Sequence, residues 1–309
     1  MNVHGPSAPR EGEGKSAVTA GDGVDLHAVR AGPEDGALVV LLHGFPEFWY
    51  GWRDQIRPLA EAGYRVVVPD QRGYNFSDKP SKVGAYRLSA LARDVLGILE
   101  AHGREEANIV GHDWGAAVAW WMALHHPDCV RTLTAVNVPH PSVMTEELRE
   151  SWRQRLRSWY FLAFQLPRVP ERVARAGNWR LLTRTMRRSS LPGTFGAEDF
   201  ERYRAAWGQD SAFRSMVNWY RAIVRRRDRP RQETVEPPTL VVWGAQDEFL
   251  ARSMAHRSVE RCANGRLATF ADATHWVQHE YPERVTSLLL DQFDAVAGRS
   301  GRMHRDPCG

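Results

Sequence analysis

The sequence predicts an α/β fold in which a mostly parallel sheet of eight strands is flanked by helices. Short apolar runs without alternation, such as residues 37–42 and 64–70, are typical of strands that are covered on both faces. These runs alternate along the chain with segments that have apolar residues at helical spacing, as at residues 88–101. Such alternation favours right-handed β-α-β crossovers, and therefore a parallel sheet.

The elements follow one another in a simple order, apart from one long helical stretch. Between residues 142 and 231 we find no strand pattern, only helical segments rich in arginine and tryptophan. This predicts a helical cap inserted after the sixth strand. The predicted strands are two short segments within residues 16–30, followed by 37–42, 64–70, 109–112, 130–138, 239–243 and 266–270. The predicted helices outside the cap are 54–62, 88–101, 116–126 and 282–295.

The domain organisation that follows has four parts. Residues 1–15 are predicted to be a flexible arm, because their Gly-, Pro- and charge-rich composition cannot bury a core. Residues 16–139 and 235–297 form the predicted core domain, and residues 140–234 the helical cap domain. Residues 298–309 are predicted to be a disordered tail.

Composition indicates an ordinary globular protein of the cytoplasm. The 43% hydrophobic and 25% charged residues are typical of that class, and the net charge of +4 comes with acids interleaved among the basic residues, so no nucleic-acid partner is predicted. The three cysteines are far apart and predict reduced thiols. The longest early apolar run, residues 37–42, is too short to span a bilayer, so we expect no membrane span. A monomer or a homodimer is expected.

The sequence Gly111-His112-Asp113-Trp114-Gly115 lies where a predicted strand turns into a helix. Its spacing is that of the nucleophile elbow, G-x-S-x-G, with Asp113 in place of serine. A carboxylate with an unperturbed pKa of about 3.9 is already anionic at neutral pH, so it needs no base before it attacks. Asp113 is therefore the candidate nucleophile. The alternative is that Asp113 is only the N-cap of the following helix, a position that aspartate favours.

Two more reactive groups follow the last two predicted strands. Asp247 follows the strand predicted at residues 239–243, and His275 follows the strand predicted at residues 266–270. Because the carboxyl ends of parallel strands meet at one edge of the sheet, these side chains are expected to lie close together. We expect His275 to act as a general base for water and Asp247 to orient its imidazole. Asp272 is a competing acid, but it precedes His275 by only three residues, so Asp247 is favoured.

The strand at residues 37–42 ends in His43-Gly44-Phe45-Pro46. We expect the backbone N–H groups of Phe45 and Trp114 to form an oxyanion hole, and His43 to be a structural hydrogen-bonding residue. Neither a metal nor another cofactor is predicted. His275 and His279 are four residues apart, but Trp276 stands where the H-E-x-x-H zinc motif requires glutamate.

The order nucleophile, acid, histidine is that of the α/β-hydrolase fold, and the sequence resembles the epoxide hydrolase family, of the soluble type with an aspartate nucleophile, over residues 16–296. Four motifs of the core and two of the cap carry this resemblance. They are His43-Gly44-Phe45-Pro46-Glu47, Gly111-His112-Asp113-Trp114-Gly115, Trp243-Gly244-Ala245-Gln246-Asp247, His275-Trp276, the Y-x-x-x-F-Q-x-P pattern from Tyr160 to Pro167, and Asn218-Trp219-Tyr220-Arg221.

The resemblance implies the reaction. Tyr160 and Tyr220 would donate hydrogen bonds to the oxygen of a small, apolar epoxide while Asp113 attacks a ring carbon. Water activated by His275 would then hydrolyse the resulting ester to give a vicinal diol. Substrate contacts would come from Phe45, Trp114, Tyr160 and Tyr220. The alternative for the two tyrosines is aromatic packing in the core.

Two residues differ from the family pattern, and three other functions stay open as alternatives. Asn75 and Thr274 stand where the family usually has glycine, which puts loop geometry in question. A haloalkane dehalogenase would share the aspartate nucleophile but commonly has asparagine at the position of Phe45. A fluoroacetate-type dehalogenase would have arginine at the position of Trp114. A non-catalytic ligand-binding protein of the same fold is the third alternative.

Overall fold

Eight strands form one sheet in the computed structural model, which describes residues 14–20, 23–225 and 233–303, with the backbone alone at 14–20 and 297–303. The strands are β1 (Gly14–Ala20), β2 (Val24–Ala31), β3 (Leu38–Leu42), β4 (Arg65–Pro69), β5 (Ala107–His112), β6 (Val130–Val136), β7 (Thr239–Gly244) and β8 (Gly265–Phe270). Their order across the sheet is β1-β2-β4-β3-β5-β6-β7-β8. β2 pairs antiparallel with β1 and β4, and all other neighbouring pairs are parallel. The predicted fold class is confirmed.

Twelve α-helices accompany the sheet in the described part of the chain. Those outside the cap are α1 (Arg53–Glu61), α2 (Leu88–Ala101), α3 (Trp114–His125), α10 (Ser253–Val259), α11 (Val277–Glu280) and α12 (Pro282–Met303). Between β6 and β7 lie α4 (Pro141–Glu150), α5 (Trp152–Arg157), α6 (Trp159–Ala163), α7 (Val169–Arg188), α8 (Ala197–Trp207) and α9 (Ala212–Arg225), which we call the cap helices. The backbone of residues 176–179 is not helical, so α7 consists of two helical segments on either side of a kink. Residues 137–225 contain no strand. The division into separate core and cap domains stays a prediction.

Some predicted boundaries differ from the structure. β6 ends at Val136 rather than at residue 138, because Asn137 takes a left-handed φ of 51° that leaves the strand. Residues 14 and 15, predicted as part of the arm, belong to β1. α12 continues to Met303, six residues into the predicted tail, since a glycine weakens a helix interior by about 1 kcal/mol without ending it. The predictions for residues 1–13, 21–22, 226–232 and 304–309 lie outside the described residues.

The central strands are buried along their whole length, which explains why their sequences are continuously apolar. Every residue of β3, β5 and β7 is buried. Helices therefore cover both faces of the sheet, as expected for parallel strands joined by crossovers. No helix in the described ranges combines the length and the apolar character that a bilayer crossing requires.

The functional edge of the sheet is formed by the carboxyl ends of five adjacent parallel strands, β3, β5, β6, β7 and β8. The chain leaves each of these strands into a loop on the same side, where ligands of open α/β sheets bind. These loops contain, in sheet order, Phe45, Asp113, Asn137, Asp247 and His275.

The turn from β5 into α3 requires two glycines because backbone atoms approach closely there. A Cβ on Gly115 would lie 2.1 Å from the carbonyl oxygen of Leu42, and one on Gly111 would lie 2.3 Å from the carbonyl oxygen of Gly115. Both contacts are with backbone, which cannot move aside as a side chain can. The small residues of the elbow therefore let α3 start directly against β3.

We predict that Gly115→Ala lowers the free energy of unfolding by about 1–3 kcal/mol, because the added methyl group must displace the β3 backbone. Chemical denaturation of both proteins measures this difference. Gly84→Ala is the matched control, since the nearest atom to its added Cβ would be 3.5 Å away, on the flexible side chain of Arg87. Equal losses in the two variants would contradict the prediction.

Candidate active site

Asp113 lies between β5 and α3 in a conformation that aspartate rarely adopts. Its φ and ψ are 49° and −121°, and its side chain is 19% exposed. It occupies the N-cap position of α3 but makes no capping hydrogen bond. Instead, its Oδ1 accepts the backbone N–H of Phe45 at 2.7 Å. Strained backbone of this kind costs about 1–3 kcal/mol and clusters at functional sites.

His275 lies between two carboxylates. Its Nδ1 donates to Oδ2 of Asp247 at 2.8 Å, and its Nε2 lies 3.7 Å from Oδ2 of Asp113. Asp272, the competing acid in the sequence, is exposed. The hydrogen bond to Asp247 leaves Nε2 as the ring nitrogen that faces Asp113.

Asp247 is a buried carboxylate whose oxygens are all engaged. Oδ2 also accepts from Nδ2 of Asn137 at 2.7 Å, and Oδ1 accepts the backbone N–H groups of Phe249 and Leu250 at 2.7 and 3.0 Å. Burial alone would raise the pKa of Asp247, but the charge of His275 and these hydrogen bonds lower it below its usual value.

Asn137 was missed by the sequence reasoning, which placed it inside a strand. It lies just after β6 with a φ of 51°, and its Oδ1 accepts the backbone N–H of Gly244 at 2.9 Å. Its amide therefore joins the ends of β6 and β7 and orients Asp247. An asparagine at the carboxyl end of a buried strand was the available signal, since asparagine tolerates left-handed backbone.

The two neighbouring carboxylates decide the protonation of His275. Burial opposes the charged imidazolium and would lower its pKa, but the charges of Asp247 and Asp113, together with the hydrogen bond to Asp247, outweigh burial and raise the pKa to about 10. At neutral pH, His275 is therefore an imidazolium paired with both carboxylates.

Tyr160 and Tyr220 lie on the cap helices α6 and α9, close enough to Asp113 for its charge to act on both phenols. Their ring centroids are 5.8 Å apart. Burial is the main cause that raises the pKa of each phenol above its ordinary value, and the nearby charge of Asp113 raises it further. Both hydroxyls therefore keep their protons at neutral pH and can donate hydrogen bonds.

The space around these groups is aromatic. The ring of Tyr220 packs edge-on against Phe45 at 5.3 Å and against Trp114 at 4.9 Å, and Phe249 lies 5.2 Å from the His275 ring. Phe161 and Phe164 pack on both Tyr160 and Tyr220, and Phe249 also packs on Tyr160. The surroundings of the Asp113 carboxylate are therefore largely apolar.

The two cap motifs are joined by Arg221. Its guanidinium is buried and donates to the carbonyl oxygens of Phe164 and Leu166 at 3.0 Å, and to Glu171 at 2.8 Å. Gln165 donates in turn to the carbonyl oxygen of Tyr220 at 3.1 Å. The arginine of N-W-Y-R and the glutamine of Y-x-x-x-F-Q-x-P thus hold α6 and α9 together, which positions both tyrosines.

α5 is attached to the loop that contains Asp247. The buried side chain of Gln154 donates to the carbonyl oxygen of Phe249 at 2.8 Å and accepts the N–H of Ala251 at 3.2 Å. The sequence reasoning assigned no role to Gln154. Its two contacts lie 95 and 97 residues away along the chain, so no local pattern could indicate them.

A buried carboxylate, Glu47, lies behind the loop of His275. Its oxygens accept from Nδ1 of His112 at 3.1 Å, from Nε2 of His279 at 2.7 Å and from the hydroxyl of Tyr203 at 2.7 Å. Burial would raise the pKa of Glu47, but the two histidines hold it well below its usual value. In the sequence Glu47 is only the last residue of a motif, and no local pattern indicates its partners.

His112 connects this carboxylate to the loop of the base. Its Nε2 donates to the carbonyl oxygen of His275 at 2.9 Å, while its Nδ1 donates to Glu47. On the far side, Nδ1 of His279 accepts from Arg53 at 2.9 Å, so this imidazole has no free nitrogen for a metal. In the described ranges no group of three or more His, Cys, Asp or Glu side chains is arranged to hold a metal ion.

The structure explains how Asn75 and Thr274 are accommodated at the two positions where the family usually has glycine. Asn75 takes a φ of 40° and donates from Nδ2 to Asp70 at 2.8 Å, so it adopts left-handed backbone and gains a hydrogen bond. Thr274 donates from its hydroxyl to Glu280 at 2.6 Å. His43 is buried, and its Nε2 accepts the backbone N–H of Gln71 at 3.0 Å, in line with a structural role.

The raised pKa of His275 predicts a pH-dependent stability. Between pH 6.5 and about 10 the folded protein holds a proton on His275 that the unfolded chain has lost. The stabilisation is therefore complete below pH 6.5 and is lost as the pH rises toward 10. We expect the free energy of unfolding to fall across this window more steeply than in the variant His275→Gln. Urea titrations at both ends of the window measure this, and parallel profiles would argue against an imidazolium.

Comparison with known proteins assigns the family. Residues 37–282 match the family model described as alpha/beta hydrolase fold. The chain is 45% identical over 272 residues to AB hydrolase superfamily protein YfhM of Bacillus subtilis, covering 87% of this chain and 94% of that protein. It is also 36% identical over 273 residues to epoxide hydrolase 4 of Mus musculus, and the matched region covers 86% of this chain and 76% of that protein.

A solved structure agrees with these relatives. The epoxide hydrolase of Bacillus megaterium, determined in complex with an inhibitor, superposes with a TM-score of 0.82 at 30% identity and covers 90% of this chain and all of that one. The family match and these similarities together show that this chain is a member of the epoxide hydrolase family of α/β-fold hydrolases.

Proposed function

We propose that this protein opens an epoxide to a vicinal diol through a covalent ester on Asp113. One observation carries the proposal. A single carboxylate has an imidazole nitrogen 3.7 Å away, and burial together with the charge of this same carboxylate raises the pKa of two phenols. This combination provides a nucleophile, a water-activating group and two hydrogen-bond donors around one small space.

In the first step, Oδ2 of Asp113 attacks a ring carbon of the epoxide and the carbon–oxygen bond breaks. The departing oxygen accepts hydrogen bonds from Tyr160 and Tyr220, which stabilise its developing negative charge. Oδ1 keeps its hydrogen bond from the N–H of Phe45 and becomes the carbonyl oxygen of the ester.

The charge state of His275 changes in the same step. Before the reaction, the imidazolium and the Asp113 carboxylate carry opposite charges. Ester formation removes the negative charge of Asp113, which is one cause of the raised pKa of His275, so that pKa falls. The proton that His275 gives up balances the proton that the alkoxide takes, and the ester, the alcohol and the imidazole are all neutral afterwards.

In the second step, neutral His275 removes a proton from water, and the resulting hydroxide attacks the ester carbonyl. The oxyanion that forms at Oδ1 accepts the N–H of Phe45 and, as we propose, that of Trp114. Trp114 is the first residue of α3, whose first N–H groups have no partner within the helix and whose dipole favours negative charge. Collapse of this intermediate releases the diol, whose oxygen takes the proton that His275 removed from water. The carboxylic acid left on Asp113 then gives its own proton to His275, which restores the carboxylate and the imidazolium.

The preferred substrate is a small, apolar epoxide. The aromatic side chains around Asp113 offer apolar surface and few hydrogen-bonding groups besides the two phenols, and such a site favours ligands with one polar centre. Phe45 and Trp114, whose rings pack on Tyr220, are the proposed substrate contacts beside the tyrosines.

The paired tyrosines favour this reaction over dehalogenation. A halide leaves as a stable anion that needs no proton, whereas an epoxide oxygen leaves as a strongly basic alkoxide that two phenols can stabilise. Incubation with styrene oxide and with a haloalkane, followed by diol and halide assays, separates the two. Binding of epoxide without any turnover would instead favour a non-catalytic protein.

We predict that the variant His275→Gln accumulates the ester on Asp113, because the nucleophile remains while the base for water is gone. Trypsin releases Asp113 in the peptide 105–131, which also contains Glu105, Glu106 and Asp128. Fragmentation by tandem mass spectrometry should therefore place the added mass on residue 113. Asp113→Asn is the control that should carry no label.

A single turnover of the unaltered enzyme in H₂¹⁸O tests the second step independently. Because water attacks the ester carbonyl, the heavy oxygen should enter the Asp113 carboxylate and not the diol. Heavy oxygen in the first-turnover diol, together with an unlabelled peptide, would mean that water attacks the epoxide directly.

We predict that Tyr220→Phe and Tyr160→Phe each slow formation of the ester, and that the double variant slows it further. Removal of one donor to a developing oxyanion costs about 10²-fold or more in rate. Rapid-quench kinetics of ester formation measure this step alone. Tyr64→Phe is the matched control, because its hydroxyl bonds to Asp294 and lies outside the site. An unchanged rate of ester formation in the double variant would remove the tyrosines from the mechanism.

A further inference from the structure

The outer side of the cap exposes an unusual number of large apolar side chains. Of the ten that are exposed among the described side chains, eight lie between residues 152 and 181. Six of these form pairs three or four residues apart on α5, α6 and the start of α7, which places each pair on one side of its helix, and a seventh lies between α6 and α7. They are Trp152, Leu156, Trp159, Leu162, Leu166, Val169 and Val173, with exposed fractions between 47% and 72%.

The same stretch is strongly basic. Residues 152–188 contain ten arginines and one acid, a net charge of +9, whereas the remaining 272 residues contain 31 basic and 36 acidic residues, a net charge of −5. The single acid, Glu171, already accepts a hydrogen bond from the buried guanidinium of Arg221 at 2.8 Å. The positive charge of the whole chain therefore comes from this one segment, and the interleaving of acidic and basic residues expected from the overall composition does not hold here.

These apolar and basic side chains are on the surface together. Trp152 and Leu156 lie on α5 with exposed arginines at 153, 155 and 157, and Val169 and Val173 lie on α7 with exposed arginines at 168, 172 and 175. We call the exposed side chains of residues 152–175 the cap surface. Apolar and tryptophan side chains mixed with arginine are the composition of helices that lie in a membrane interface.

We propose that the cap surface docks on a bilayer that contains anionic lipids. The arginines match the negative surface charge, and the exposed tryptophan, leucine and valine side chains enter the boundary between headgroups and acyl chains. This inference goes beyond the proposed reaction and does not depend on it.

Two other occupants fit the cap surface less well. A second copy that met it face to face would bring together two surfaces that each carry six arginines and one acid, a net charge of +5, and these surfaces repel one another. A nucleic acid would match the charge, but its phosphates would leave the apolar side chains in water. A lipid surface satisfies both the charge and the apolar area.

Docking would bring the bilayer close to the candidate site. α6 carries Trp159 and Leu162 on its exposed side and Tyr160 and Phe161 on the side that packs against Tyr220. One helix, about 10 Å across, therefore separates the cap surface from the aromatic lining of the site. Gln154 fixes α5 to the loop of Asp247, so the cap surface has a firm attachment to the core.

The test is flotation of the full chain with vesicles of phosphatidylcholine, with and without an added third of phosphatidylglycerol. We expect binding only to the anionic vesicles, and weaker binding at about 1 M salt, where the Debye length falls to about 3 Å. The variant Arg153→Gln/Arg155→Gln/Arg157→Gln should lower the partition coefficient about 10²-fold, since each basic residue near an anionic surface raises it about fivefold.

Matched controls separate the cap surface from total charge and total apolar area. Arg57→Gln/Arg93→Gln/Arg284→Gln removes the same charge from exposed positions on α1, α2 and α12 and should bind as the unaltered chain does. Trp152→Ser/Leu156→Ser should weaken binding, whereas Phe76→Ser/Val224→Ser, which removes exposed apolar groups elsewhere, should not. Circular dichroism checks that each variant is folded.

Several results would overturn the proposal. Absence of binding to the anionic vesicles would do so, as would equal losses in the two arginine variants. Dimerisation in sedimentation experiments that the cap variants abolish, without vesicle binding, would assign the surface to a second copy. Salt-dependent binding to duplex DNA without vesicle binding would assign it to nucleic acid.

Discussion

The hydrogen bond from the backbone N–H of Phe45 to the Asp113 carboxylate joins the ends of two neighbouring strands, and the rest of the site is arranged about it. It is possible because α3 starts directly against β3, where a side chain on Gly115 would meet the carbonyl oxygen of Leu42 at 2.1 Å. Because of this close packing, the N–H of Phe45 binds Oδ1 of Asp113, and Oδ2 faces His275. The strained conformation of Asp113 is the cost of this placement.

Buried charges give the site its electrostatic character. His275 lies between two carboxylates, and Asp247 keeps its charge despite burial because three hydrogen bonds besides that of His275 hold it. Such an arrangement is stable only while every charge keeps its partner, since an unpaired buried charge is strongly unfavourable. It also makes the pKa of His275 depend on the charge of Asp113. A reaction that neutralises Asp113 therefore changes the proton affinity of its own base.

The cap helices have two different faces. Toward the core they present Tyr160, Tyr220 and their aromatic neighbours, and Arg221 and Gln154 fix those helices to each other and to the loop of Asp247. Toward solvent, α5, α6 and the start of α7 present apolar side chains among arginines. The face toward the core is sufficient to line the candidate site. The face toward solvent has no role in that site, and it is the basis of the proposed membrane docking.

Much of the fold could be predicted from the sequence because the signals are local. A buried parallel strand is continuously apolar, a helix has its own period, and the elbow requires glycines two residues before and after Asp113. The strand ends that carry Asp113, Asp247 and His275 were therefore visible in the linear sequence, as were the tyrosine motifs through their resemblance to a family. The roles of these residues in the reaction remain proposals.

The sequence by itself determined the order of strands and helices, the place of the helical insertion and which strand ends carry reactive side chains, because each of these depends on residues a few positions apart. Only the tertiary structure decided the partners of these groups. Asn137 meets Asp247 across 110 residues, and Glu47 meets His279 across 232. Such contacts, and the pKa of about 10 that two carboxylates give His275, arise from distances in space that no local pattern records.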